Sequence, residues 1–148
     1  MSAKAAVLDT NILVYALFSD SPHHIVSRRL LDQAASEKAE LFLASQSLAE
    51  FYAVVTNPRR VRSPKSANEA ISVIAQIMEL PGLTLLPQPI DVVVRWCELL
   101  KTNPVTGGDV FDVQLIATML ASGIHRIYTF NISDFRKFNA IEAVVPTA

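Results

Sequence analysis

Short apolar runs alternate with amphipathic stretches along nearly the whole chain, and this alternation restricts the fold more than any single motif. The runs are 5–8 (AAVL), 41–44 (LFLA), 83–86 (LTLL), 127–129 (IYT) and 143–145 (AVV). Each is too short for a helix and apolar on both faces, as strands of a covered parallel sheet are. Between them the apolar residues recur at helical spacing. A helix is expected from Ile12. A second, with Pro22 at its first position, carries Ile25, Leu30, Leu31 and Ala34 inward. Further helices are expected over Ser45–Val55, over Ser66–Glu79 with a Ser66/Glu69 capping box, and over Pro89–Leu100 burying Val93, Trp96, Cys97 and Leu100. The last runs from Asp109 through Val113, Ile116, Ala117 and Leu120 until Gly123 ends it. Strand–helix alternation of this kind predicts an α/β fold with a central, mostly parallel sheet and right-handed crossovers.

The 148 residues suit one domain spanning 1–148, and with 51% of them hydrophobic a sizeable core is expected, with enough apolar surface left over to suggest a dimer or a bound partner. A formal net charge of −1 gives no global basic signature, so contact with nucleic acid would need a local patch or a metal. Cys97 is the only cysteine, which excludes an intrachain disulfide or a thiolate zinc cluster. Lys4 precedes a short strand rather than the longer apolar run of a signal peptide. No apolar run approaches the ~20 residues that span a bilayer. A soluble, cytoplasmic protein without membrane contact is expected.

Chemistry concentrates at the ends of the strand runs. Asp9 closes the first run, Glu50 lies on the helix after the second, and Asp109 and Asp112 open the helix before the fourth. Asn131 and Asp134 follow that fourth run. In a parallel sheet all of these approach one edge, where ligand crevices form. Each acid also has a structural reading. Asp9 suits the N-cap of the next helix, Glu50 could close a capping box with Ser47, and Asp109 and Asp112 suit a positive helix N-terminus. Carboxylates crowded together repel unless a cation sits among them. An all-oxygen set favours Mg²⁺, with Mn²⁺ possible, and the matching chemistry is metal-assisted phosphodiester hydrolysis. The loop 56–64 (TNPRRVRSP) places Arg59, Arg60 and Arg62 near Lys65, either as a phosphate grip or as a solvated connector. His23 and His24 are adjacent rather than four apart, a poor match to a metal pair, and are expected to be exposed or to contact a partner.

The pieces VLDTN, SPHH, LAEF followed by VVTNPR, TGGDVFD and TFNISDF occur in an order and spacing that resemble a PIN-domain ribonuclease of the VapC type, the toxin of bacterial toxin–antitoxin pairs. The resemblance covers nearly the whole chain and implies a three-layer α/β/α PIN-like fold. It also implies a metal-dependent endoribonuclease that cuts RNA, forms a homodimer and is inhibited by a cognate small antitoxin. By the same resemblance Asp9, Glu50, Asp112 and Asp134 are the catalytic, metal-holding acids. Asp109 is an additional acid beside them, and Asn131 competes with Asp134 for the fourth place. Asn11, Thr129 and Asn131 become polar supports that orient water or carboxylates. Arg59, Arg60 and Arg62, with Arg126, Arg136 and Lys137, become candidates for gripping the RNA backbone.

Two other classes are weaker matches. A phosphoacceptor domain would end its late strand in lysine, where this chain has Thr129-Phe130-Asn131, and an aspartyl phosphatase would place a second Asp where Asn11 stands. The alternative within the family is a catalytically degenerate PIN-like module that binds RNA or protein.

Overall fold

The computed structural model describes residues 5–147, so the expectation resting on Lys4 lies outside the described residues. Five strands among these residues form one parallel sheet: β1 (Ala6–Leu8), β2 (Leu41–Leu43), β3 (Leu83–Leu85), β4 (Arg126–Tyr128) and β5 (Glu142–Val144), in the order β3-β2-β1-β4-β5. Every neighbouring pair is parallel, with Val7 opposite Phe42 on one side and Ile127 on the other. The chain winds outward from β1 to β3 and then returns to β4 on the other flank. The strand order therefore reverses at β1, and a crevice opens beside its carboxyl end.

Among the described residues six helices cover the sheet: α1 (Thr10–Leu17), α2 (His24–Ala35), α3 (Ser45–Val55), α4 (Ala67–Met78), α5 (Asp91–Thr102) and α6 (Asp109–Ala121). Side chains alternate across a strand, and the two cores follow that alternation. Ala6, Leu8, Leu41 and Leu43 pack with Leu13, Leu31, Phe51 and Ile77 from α1 to α4. Val7 and Ile127 face the other way, onto Ile116 and Met119 of α6 and onto Phe135 and Phe138. The result is the expected three-layer α/β/α arrangement. Among the described residues no helix is long and apolar enough to cross a membrane.

Several local expectations need correction. Pro22 sits in a turn, and α2 starts at His24 because Ser21 takes the backbone N–H groups of both His23 and His24. Ile25 is 67% exposed, and Ser27 takes the inward place ahead of Leu30, Leu31 and Ala34. α5 begins at Asp91 and turns Val92 inward, which leaves Val93 and Cys97 exposed and Trp96 half-buried. α6 is buried on more than one face, with Leu115 and Met119 joining Val113, Ile116 and Ala117, because it lies between the sheet and α5. His23 and His24 are half-buried: His23 stacks on Phe130 at 4.1 Å, and His24 Nδ1 lies 2.9 Å from the Tyr15 carbonyl oxygen. The Ser66/Glu69 capping box is present with both of its hydrogen bonds.

Candidate active site

Asp9 leaves β1 still held by the sheet, its backbone N–H donating to the Tyr128 carbonyl at 3.0 Å. Its carboxylate then does two things. Oδ1 accepts from the Thr10 backbone N–H at 2.8 Å and caps α1, while Oδ2 accepts from the Thr129 hydroxyl at 2.7 Å. Asn11 Nδ2 lies 3.4 Å from that same Oδ2. One carboxylate, with lone pairs for several donors, thus both caps α1 and reaches the crevice. Thr129 is fully buried at the end of β4 and its hydroxyl also accepts the Asn131 backbone N–H at 3.0 Å, so β4 fixes both Asp9 and the turn after it.

Glu50 does not close a capping box with Ser47. α3 is capped by Ala44, Ser47 is buried, and Glu50 Oε2 instead accepts the Thr10 hydroxyl at 3.0 Å. Asp109 and Asp112 occupy the first turn of α6 without capping it, Gly108 being the cap residue. The 3-10 turn Ile132–Asp134 carries Asp134 and is held down by buried Phe135.

Asp9, Glu50, Asp112, Asp134, Asn11 and Asn131 line one cavity of about 440 Å³ at the carboxyl end of the sheet. Burial raises the Asp9 carboxyl above its ordinary range, with Glu50 and Asp134 adding to the rise and the Thr129 and Thr10 hydrogen bonds opposing it. Asp112 is pushed up to about 7, by burial first and then by the negative charge of Asp134, Asp9, Asp109 and Glu50. A carboxyl raised in this way marks an electrostatic deficit that a cation would relieve.

The donor set suits a hard cation. No His or Cys lines the cavity, and Asn11 Oδ1 is a buried oxygen without a hydrogen-bond partner. Among the described residues no three His, Cys, Asp or Glu side chains are drawn closely enough to enclose a metal by themselves. An open arrangement of this kind suits magnesium, which keeps several of its waters and takes few protein ligands.

The other candidates separate. Asp109 lines a neighbouring cavity of about 200 Å³ that shares Asp112 and Asp134 with the first and adds Ser133 and Lys137. Of the loop arginines, Arg60 lines the main cavity, whereas Arg59 and Arg62 are exposed away from it. Arg126 starts β4, at the opposite end of the strand from Thr129, and forms a two-point ion pair with Glu142 at 3.1 and 3.3 Å, so it does not serve the cavity. Arg136 is exposed and lines neither cavity.

Sequence reasoning missed three contributors. Thr10 bridges to Glu50, Tyr15 lines the cavity, and Gln46 Nε2 donates to the Phe111 carbonyl at 3.0 Å, joining α3 to the first turn of α6. Only Thr10 left a trace, as the middle of a strand-ending DTN. The other two depend on helix packing that no local pattern reports.

A model of the PIN domain family matches residues 6–140. The ribonuclease VapC24 of Mycobacterium tuberculosis is 29% identical over 131 residues, covering 88% of this chain and 89% of that protein. A crystal structure of VapBC2 from Rickettsia felis bound to a promoter DNA fragment superposes with a TM-score of 0.69 at 20% identity, covering 97% of this chain and 99% of that one. A toxin–antitoxin complex from Klebsiella pneumoniae superposes with a TM-score of 0.61 at 18% identity, covering 96% of this chain and 98% of that one.

Proposed function

The chain belongs to the PIN-domain family, with VapC ribonucleases as its relatives, and on that premise we propose that it is a Mg²⁺-dependent endoribonuclease acting as the toxin of a toxin–antitoxin pair. The observation that carries the reading is the convergence of Asp9, Glu50, Asp112 and Asp134 on one cavity in which two of the carboxyls are held above their ordinary range. Carboxylates placed for packing or capping alone would not be gathered from four separate elements into a shared deficit of positive charge.

When bound, magnesium (or manganese) would supply an acidified water and neutralise charge on the phosphate. The chain's own residues hold and orient. Asp9, Glu50, Asp112 and Asp134 are the proposed ligands and catalytic acids, with Asp109 contributing charge from the side. Thr129 and Thr10 hold Asp9 and Glu50 in fixed rotamers through their hydroxyls. Asn11 and Asn131 offer neutral oxygens to water or cation. Arg60, on the cavity lining, offers a cation to a substrate phosphate, and Arg59 and Arg62 add a more distant attraction.

A small antitoxin protein is the proposed inhibitory partner, supported by the likeness to a toxin–antitoxin complex. A homodimer is the proposed assembly, supported by the unpartnered apolar face of α5, where Ile90, Val93 and Val94 are 92%, 59% and 59% exposed. The test is cleavage of single-stranded RNA with Mg²⁺, with EDTA, and with Asp112→Asn. Cleavage should require Mg²⁺ and fall at least a hundredfold in the variant. Undiminished cleavage in EDTA would overturn the reading.

A further inference from the structure

The cavity that holds the acids is larger than a cation requires. Six waters at about 30 Å³ each, the full shell of a magnesium ion, occupy about 180 Å³, well under half of the 440 Å³ present. The remaining space has a different chemistry. α1 lines the cavity with Thr10 and Asn11 and then, one turn on, with Val14 and Tyr15. α3 lines it with Glu50 and then with Ala53 and Val54 at i+3 and i+4. Both helices thus run from a polar residue beside the sheet to apolar residues farther out along the same face. Between them lies a trough, acidic at the inner end and apolar at the outer end, with Arg60 also on its lining.

Tyr15 is the only ring on that lining, and it is braced from behind. His23 and Phe130 stack on each other at 4.1 Å with their planes 24° apart. Each meets Tyr15 at an angle: His23 at 5.1 Å and 49°, Phe130 at 5.4 Å and 69°. Neither ring lies parallel on Tyr15, so the pair fixes its position without stacking on it. Ala53, small and exposed, leaves the trough open.

We propose that the outer half of this trough is a stacking subsite for one unpaired nucleobase, adjacent to the scissile phosphate. Tyr15 provides the stacking surface, Val14, Ala53 and Val54 form the apolar walls, and Arg60 pairs with the neighbouring phosphate. The ligand class follows from the lining: a flat, apolar-faced group joined to an anion satisfies the ring, the walls and the arginine together. A base in a duplex is stacked on both sides and cannot enter without being unpaired, so the subsite selects single-stranded or loop nucleotides. This inference rests on the ribonuclease reading and deepens it by assigning a residue to substrate shape rather than to chemistry.

The test uses single-stranded RNA carrying one 2-aminopurine, with Ca²⁺ in place of Mg²⁺ to measure binding, and cleavage in Mg²⁺ in parallel. Stacking on Tyr15 should quench the fluorophore in the parent and in Tyr15→Phe. Tyr15→Leu, which keeps the apolar bulk, should lose the quench and bind about tenfold or more weakly, since base–aromatic stacking is commonly of that size. Ala53→Phe, at an exposed position, should block the base while leaving the rise in melting temperature with Mg²⁺ intact. If RNA is bound and cleaved with no quench, and Tyr15→Leu and Ala53→Phe match the parent, the subsite is refuted and the nuclease reading stands. If neither binding nor cleavage occurs in the parent, the ribonuclease reading fails and takes the subsite with it.

Discussion

Gln46 reaches across from α3 and donates its side-chain amide to the backbone carbonyl of Phe111, fastening the helix that carries Glu50 to the first turn of the helix that carries Asp112. Trp96 Nε1 makes a longer contact, 3.4 Å, to the Val110 carbonyl in the same turn. Gln46 does not line the cavity, so its effect is on position. Gln46→Ala should cost about 1 kcal/mol of stability. It should also lower kcat about tenfold with little change in KM, as steady-state kinetics on an RNA substrate would show. A change in KM alone would mean that the contact does not set the acids' spacing.

Arg60 should dominate the loop's contribution to RNA binding. Arg60→Ala is expected to weaken binding more than Arg59→Ala or Arg62→Ala, and to reduce the log–log salt slope by roughly one unit. Titrations between low and high salt would measure this. Equal, small effects from all three arginines would make the loop a diffuse attractor with no fixed contact.

The carboxyl of Asp112, raised from 3.8 to about 7, couples stability to pH. Between those values the folded protein keeps a proton that the unfolded chain has released, so the contribution to stability is full below about pH 4 and is lost as pH rises through 7. In EDTA the parent should therefore melt higher at pH 5 than at pH 8, and Asp112→Asn should flatten that difference. With millimolar Mg²⁺ the order at pH 8 should change: the parent gains stability from bound cation and Asp112→Asn does not. Melting curves in four buffers decide it. A variant that is less stable by the same amount in all four would make Asp112 a structural acid.

The apolar face of α5 should mediate self-association. Val94→Glu places a charge on an exposed position, so it should leave the fold intact while shifting the protein from dimer to monomer in sedimentation at micromolar concentration. A parent that is already monomeric, or a variant that stays dimeric, would exclude this face.

Strand positions and helix count were legible because apolar runs and helical periodicity are local signals, and β2 to β5 fall within a residue of their expected bounds. Asp9, Asp112 and Asp134 were legible as candidates because each follows a strand or opens a helix in an alternating pattern, whereas Glu50 lies in the second turn of α3 and stood out through the family resemblance. The phase of α5 was not, because Val92, Val93 and Val94 are all apolar and only packing against α6 decides which one turns inward. Glu50 shows a different limit. Ser47 and Glu50 have capping-box spacing, but Ser47 lies inside the helix, and the partner that fixes Glu50 is Thr10, forty residues away. Arg126 had the right charge at the wrong end of its strand, a distinction that depends on strand direction alone.

The place of β1 in the middle of the sheet has a consequence for when the molecule can act. β1 lies between β2, made soon after it, and β4, made long after it, and the cavity's lining is incomplete without Asp134. A chain interrupted before α6 has at most Asp9 and Glu50, and one interrupted between Asp112 and Asp134 still lacks the last of the four acids. Under the proposed nuclease reading, a copy cut short of Asp134 should therefore be inert, because activity would wait on the acid that is made after the other three.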